Sequence, residues 1–275
     1  MIYSGTYLIK LTLVTGAKKI INKYKMKTKY LSFALIVAML IILTIVGFIP
    51  VKKTIHNTSK KGFAVVELFT SEGCSSCPSA DETVARLLSK NIENVYILAY
   101  HVDYWNRLGW KDPFSNAAYS QRQNQYAAKF NLNSVYTPQV IVNGSSEFIG
   151  SDEDKLTNTV ENNLGKQSVQ NISISTTKSN NIVTINYDID GSEAELLNIA
   201  FVQPEATTSV KRGENGGRTL HHVNIVRALK TIDANGKGSV TMEVPNELTG
   251  VTLQLIAYTQ SKKNFEILGA DKKAL

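Results

Sequence analysis

Cysteine is nearly absent from this chain: 275 residues hold two, Cys74 and Cys77. A second Cys pair that would complete a four-thiolate zinc site is missing, and so is the raw material for a disulfide-stapled scaffold. Acidic residues are absent before Glu67. Eleven lysines fall in residues 1–61, which leaves nineteen Lys and Arg against 23 Asp and Glu in the rest, a balance of −4. The formal charge of +7 therefore belongs to the leader. A nucleic-acid groove needs its cations in the folded region, so no nucleic-acid partner is expected. A phosphate loop is also missing. The Gly-rich stretch "KRGENGGRTLHH" (211–222) has no downstream Lys-Ser/Thr and reads as a long hairpin or interdomain loop.

The leader contains one long uncharged run, Leu31 to Ile49. It approaches the ~20 residues that cross a bilayer as a helix. It exceeds the usual ~7–15-residue core of a cleaved signal, and no A-x-A site follows. Lysines are denser before the run (Lys18 to Lys29) than after it (Lys52, Lys53). Positive-inside bias then puts the N-terminus in the cytoplasm and everything after Pro50 outside. The expectation is an N-terminal hydrophobic helix at 31–49 that tethers the protein to the inner membrane, facing the periplasm or cell exterior. A cleaved signal is the alternative, and Met26 is an alternative start. Residues 1–61 are thus read as leader, transmembrane or signal segment, and tether.

"FAVVELFT" is a short β-branched run and reads as a buried strand. Pro78 suits the first turn of a helix, and Asp81 and Glu82 follow in that turn, where acids suit the dipole. "NVYILAYHV" is a second buried strand. Ser115 to Asn131 reads as a helix with a serine cap, and "PQVIVNGSSEFIG" as a hairpin with an Asn-Gly turn. Ser151 to Leu164 is a capped helix. This alternation implies an α/β domain over 62–165 in the order of a thioredoxin fold. From residue 166 to 275 short strands follow one another between Gly, Asn and Asp, which implies a separate all-β, antiparallel, sandwich-like domain.

A thiol attacks only as thiolate, and a cysteine just before a helix gains from free N–H groups and the dipole. Cys74 sits there and is read as the nucleophile. Cys77, about one turn inward, is read as the resolving thiol. So small a loop gains little from a purely structural disulfide. Glu67, in the first strand, is a candidate proton relay to Cys77. His101 and Asp103 end the second strand and are candidates to tune the thiols. Trp105 and Trp110 lie in the aromatic-rich loop "HVDYWNRLGWKDPF" and are candidates for a substrate wall. No dissociable cofactor is needed, because the electrons reside in the sulfurs. Two rival readings stay open. One is a copper- or zinc-binding module using the two cysteines with His101. The other is a non-catalytic envelope interaction protein.

"VVELFTSEGCSSCPSAD", "HVDYWNRLGWKDPF", "RQNQYA", "VYTPQVIVNG" and "GENGGRTLHHVNIVRAL" together resemble the DUF1223 family. The resemblance spans about Gly62 to Leu275. It implies an exported bacterial protein of unsettled function in the thioredoxin-like superfamily. Members usually show "CSSCPPAD"; here Ser79 replaces the second proline. The resemblance further implies that Thr137-Pro138 is a cis pair facing the cysteines and shaping the contact with a bound peptide. The resulting expectation is a thiol–disulfide oxidoreductase acting on protein thiols and disulfides of the cell envelope.

Overall fold

The computed structural model describes residues 61–191 and 195–275, so the predicted hydrophobic helix at 31–49 and the tether lie outside the described residues. Among the described residues no helix is long and apolar enough to cross a membrane. Strand β1 (Ala64–Thr70) is buried at every position, as is β2 (Val95–His101). Runs buried on both faces belong inside a sheet, and these two pair in parallel, Ala64 opposite Val95. Between them, α1 (Cys77–Ser89) has its proline in the first turn and buries Ala80, Val84 and Leu87. Its first turn carries no acid, because the helix begins at Cys77; Asp81 is turned inward and buried.

Helix α2 (Ala117–Lys129) is capped by Asn116, one residue later than expected, whose side chain accepts the Ala118 N–H at 2.9 Å. Strands β3 (Gln139–Val142) and β4 (Ser146–Ile149) form a hairpin on Asn143 and Gly144, both at positive φ (48° and 61°). Only glycine fits at 144, since a Cβ there would lie 2.0 Å from the Phe265 carbonyl oxygen. Helix α3 (Glu153–Leu164) is capped by Asp152, which accepts the Lys155 N–H at 3.0 Å.

The remaining strands are β5 (Ile172–Ser179), β6 (Ile182–Ile189), β7 (Glu195–Ser209), β8 (Thr219–Ala234), β9 (Gly236–Glu243), β10 (Gln254–Gln260) and β11 (Ile267–Ala274). Here the fold-class expectation is corrected. The chain is not a thioredoxin-like α/β domain followed by a separate sandwich. It is mostly β: the described residues hold eleven strands and three α-helices. Eight strands form one sheet in the order β11-β10-β7-β8-β2-β1-β3-β4, and β5-β6-β9 form a smaller one. The seam is the parallel contact of β2 with β8, where Ala99 lies opposite Ile225 and the Asn224 side chain donates to the Ile97 carbonyl at 3.2 Å. The described residues form one compact unit.

Alternation along the strands divides the core into layers. Val65 and Phe69 join α2, β7 and β10 in one apolar cluster. Ala64, Val66 and Leu68 point the other way, into a cluster with α1 and α3. The small sheet covers that second face further along, packing Val183 and Ile185 against Leu197, Ile199 and Phe201. The β1–α1 turn is thus fixed from behind by the sheet and from the side by the β7–β8 hairpin.

Candidate functional site

The turn from β1 to α1 carries the two cysteines. It is closed by the Cys74 N–H on the Ser71 carbonyl and the Cys77 N–H on the Cys74 carbonyl, each at 3.2 Å. Both thiols are free, and Cys74 is 1% and Cys77 0% exposed. The Cys74 thiol lies 3.3 Å from the Ser76 hydroxyl and donates toward the Thr137 carbonyl at 3.7 Å. Hydrogen bonding from Cys77 is the main cause that lowers the Cys74 thiol to about 6, with Ser76 and Thr137 helping against burial. Burial, followed by the bond to Cys74 and the charges of Cys74 and Asp81, pushes Cys77 well up. Cys74 is therefore the more acidic of the two sulfurs.

The Thr137-Pro138 bond is cis. Trp105 donates its indole N–H to the Thr137 hydroxyl at 2.8 Å and packs its Cβ against Gly73. Trp110 donates to Glu72 Oε2 at 2.7 Å. Cys74, Cys77, Thr137, Pro138 and the two tryptophans are thus brought together around one turn.

Glu67 is not among them. Its carboxylate points to the α2 face of the sheet, whereas α1 covers the opposite face. It is fully buried, pairs with Arg122 Nε at 2.6 Å, and accepts from the hydroxyls of Tyr126 and Tyr258. Asp103 also turns aside, taking its contacts from Ser120 on α2. His101 contacts Asp112 through Nδ1 at 2.7 Å and stacks edge-on against His222, with ring centroids 4.8 Å apart. Burial opposes the charge on Asp112, yet His101 and two backbone N–H groups hold it below the usual carboxylate range. Among the described residues no group of three or more His, Cys, Asp or Glu is arranged to hold a metal ion.

Sequence reasoning missed several residues beneath and above the turn. His222, on β8, is 1% exposed and lies between Glu72 Oε1 (3.2 Å) and Asp81 Oδ2 (3.3 Å). Neither contact is aligned as a hydrogen bond, so the ring meets the two carboxylates by proximity. Burial works against a charge on the ring, but the two carboxylates outweigh it and raise His222 to about 10. Asp81 also accepts the Thr70 hydroxyl at 3.1 Å. Above the turn, the β7–β8 loop places Glu214 on the Ser75 N–H and Asn215 on two carbonyls, those of Glu72 and Cys74, each at 2.9 Å. The available signal was the run "HVNIV", buried at every position, which takes His222 and Asn224 inside while His221 stays exposed.

Fold and site together define a mostly β protein with a buried, asymmetric dithiol at its first strand–helix turn. The chain belongs to the family described as "Protein of unknown function (DUF1223)", whose profile matches residues 65–260. It is similar to a crystallographically solved protein from Agrobacterium tumefaciens, at 28% identity and a TM-score of 0.58 over 76% of this chain and 92% of that one. Much weaker likenesses are to a DUF3823 family protein from Bacteroides ovatus (17% identity, TM-score 0.26, 39% of this chain and 56% of that one) and a β-glucuronidase from Ruminococcus gnavus (6%, 0.22, 40% and 16%). No curated protein matches the chain.

Proposed function

We propose that the protein is a thiol–disulfide oxidoreductase, with Cys74 as nucleophile and Cys77 as resolving thiol. The observation that carries the reading is the place of the pair: two free thiols at the β1–α1 turn, Cys77 opening the helix and the Cys74 sulfur against the Thr137 carbonyl, with Cys74 lowered to about 6 and Cys77 raised by burial. In the reducing direction the Cys74 thiolate attacks a substrate disulfide. The substrate S–S bond breaks, its first sulfur leaves as thiolate, and a mixed disulfide forms on Cys74. Cys77 then gives up its proton, for which the neighbouring Asp81 carboxylate is the acceptor at hand, and attacks the Cys74 sulfur. The substrate's second sulfur leaves, and the two electrons of the dithiol have passed to the substrate. A second dithiol regenerates the protein. The reverse sequence oxidises a substrate dithiol.

Thr137-Pro138 and the two tryptophans form the wall a substrate meets. The substrates are protein thiols and disulfides of the cell envelope, reached outside the cytoplasm by a protein that residues 31–49 export and tether. Reduction of insulin disulfides tests the activity. Wild type is expected to reduce insulin with dithiothreitol as the second dithiol, and Cys74→Ser is expected to be inert. Equal rates for the two proteins would sink the proposal.

A further inference from the structure

Cys74 cannot be reached as the molecule stands. It is 1% exposed although its neighbours Ser75 and Ser76 are exposed, so the cover is local. The sulfur itself is held by the Ser76 hydroxyl and the Thr137 carbonyl, and the loop joining β7 to β8, residues 210–218, clamps the backbone of its turn. Asn215 at its centre is 0% exposed and spends both amide hydrogens on the carbonyls of Glu72 and Cys74. Its Oδ1 accepts from Arg218 at 2.9 Å. Glu214 accepts the Ser75 N–H, and its carboxyl is held low by that contact. Gly213 and Gly217, at φ 76° and 82°, flank these anchors, and Gly213 sits against Trp110 and the Leu108 carbonyl. The loop therefore bridges from the cysteine turn to the tryptophan loop. Its base is tied across the hairpin by the Val210 and Arg218 backbones, at 2.9 Å.

We propose that this loop is a lid and that Asn215 is the residue that sets substrate size at Cys74. Closed, the lid bars Cys74; a slight opening admits small disulfides, and a folded protein's disulfide needs the loop displaced. A protein substrate enters only when its own backbone replaces Asn215 and Glu214 at the carbonyls and the N–H they now hold. The inference deepens the dithiol reading and rests on it. Its chemistry adds no redox step, because the exchange at Cys74 is the one already written.

The test compares N-ethylmaleimide with a maleimide carrying a long polyethylene glycol chain, with the Cys74 adduct identified by peptide mass. The measured quantity is the ratio of the bulky to the small reagent's rate, relative to the same ratio in the urea-unfolded protein. Wild type is expected to disfavour the bulky reagent strongly. Losing a hydrogen bond shifts a closed–open balance by roughly five-fold, so Asn215→Ala, which loses both of its bonds to the cysteine turn, is expected to raise the ratio by about ten-fold or more. Glu214→Ala, an exposed change that spares the fold, should raise it less but in the same direction. A wild-type ratio equal to that of the unfolded protein overturns the lid, as does a ratio unmoved in both variants. Failure of insulin reduction with the size filter intact would count against the redox reading and leave the lid standing.

Discussion

Replacing Arg122 by leucine should destabilise the protein severely without touching the thiol chemistry. Arg122 is 7% exposed, pairs with the fully buried Glu67 at 2.6 Å, donates to Tyr126 at 3.1 Å and Gln260 at 3.3 Å, and lies over three tyrosine rings at 5.2 to 5.8 Å. Leucine would leave the Glu67 carboxylate in the core with only tyrosine hydroxyls for company. Breaking a buried pair from one side costs about 3–5 kcal/mol. For a unit of this size each kcal/mol lowers the melting temperature by roughly 2–4 °C, so the variant should melt about 6–20 °C below wild type. Glu67→Leu combined with Arg122→Leu removes the orphaned charge and should recover much of the loss. Urea unfolding and thermal melting measure the stability, and the pH profile of Cys74 alkylation measures the site. A loss under about 1 kcal/mol would refute the buried-pair reasoning. A shifted alkylation midpoint would instead return Glu67 to the dithiol's service.

Three further outcomes are expected. Cys77→Ala removes the chief cause of the lowered Cys74 value, so its alkylation midpoint should rise from about 6 toward the ordinary cysteine range in a rate–pH profile. His222 is raised from 6.5 to about 10 on folding, so its stabilisation is complete below about pH 6.5 and lost as pH climbs through 10. The stability gap between wild type and His222→Gln, measured by urea unfolding, should therefore shrink across that range. Gly144→Ala forces a Cβ to within 2.0 Å of the Phe265 carbonyl at a positive φ, and should cost more than about 2 kcal/mol in the same assay.

The elements of the first half were legible because each carries a local signal. "AVVELFT" and "VYILAYH" are apolar runs, Pro78 opens a helix, and Asn143-Gly144 makes a turn. The joining of the two halves was not legible. The β2–β8 seam is set by which strand edge is left open, and Ile225 carries no mark of its distant partner Ala99. Strand β11 passed unnoticed because "ILGADKKA" is half polar and earns its place only by pairing with β10. At the site, Cys74 and Cys77 announced themselves by spacing. Asp81 was read as a dipole acid, yet burial turned it to Thr70 and His222. His222 and Asn215 arrive from more than 130 residues downstream, where no periodicity points back to the cysteines. Glu67 lay close in sequence to the pair but on the other face of its strand, the kind of error that period-two alternation produces whenever the covering helix is unknown.

The central claim is that Cys74 attacks and Cys77 resolves. It is tested most directly by mass spectrometry of covalent adducts formed when the Cys77→Ser and Cys74→Ser proteins meet a disulfide-bonded protein substrate. The account predicts a mixed disulfide that accumulates on Cys74 in the first variant and little or none in the second. Absence of any adduct on Cys74, or equal trapping on Cys77 when Cys74 is gone, would contradict it.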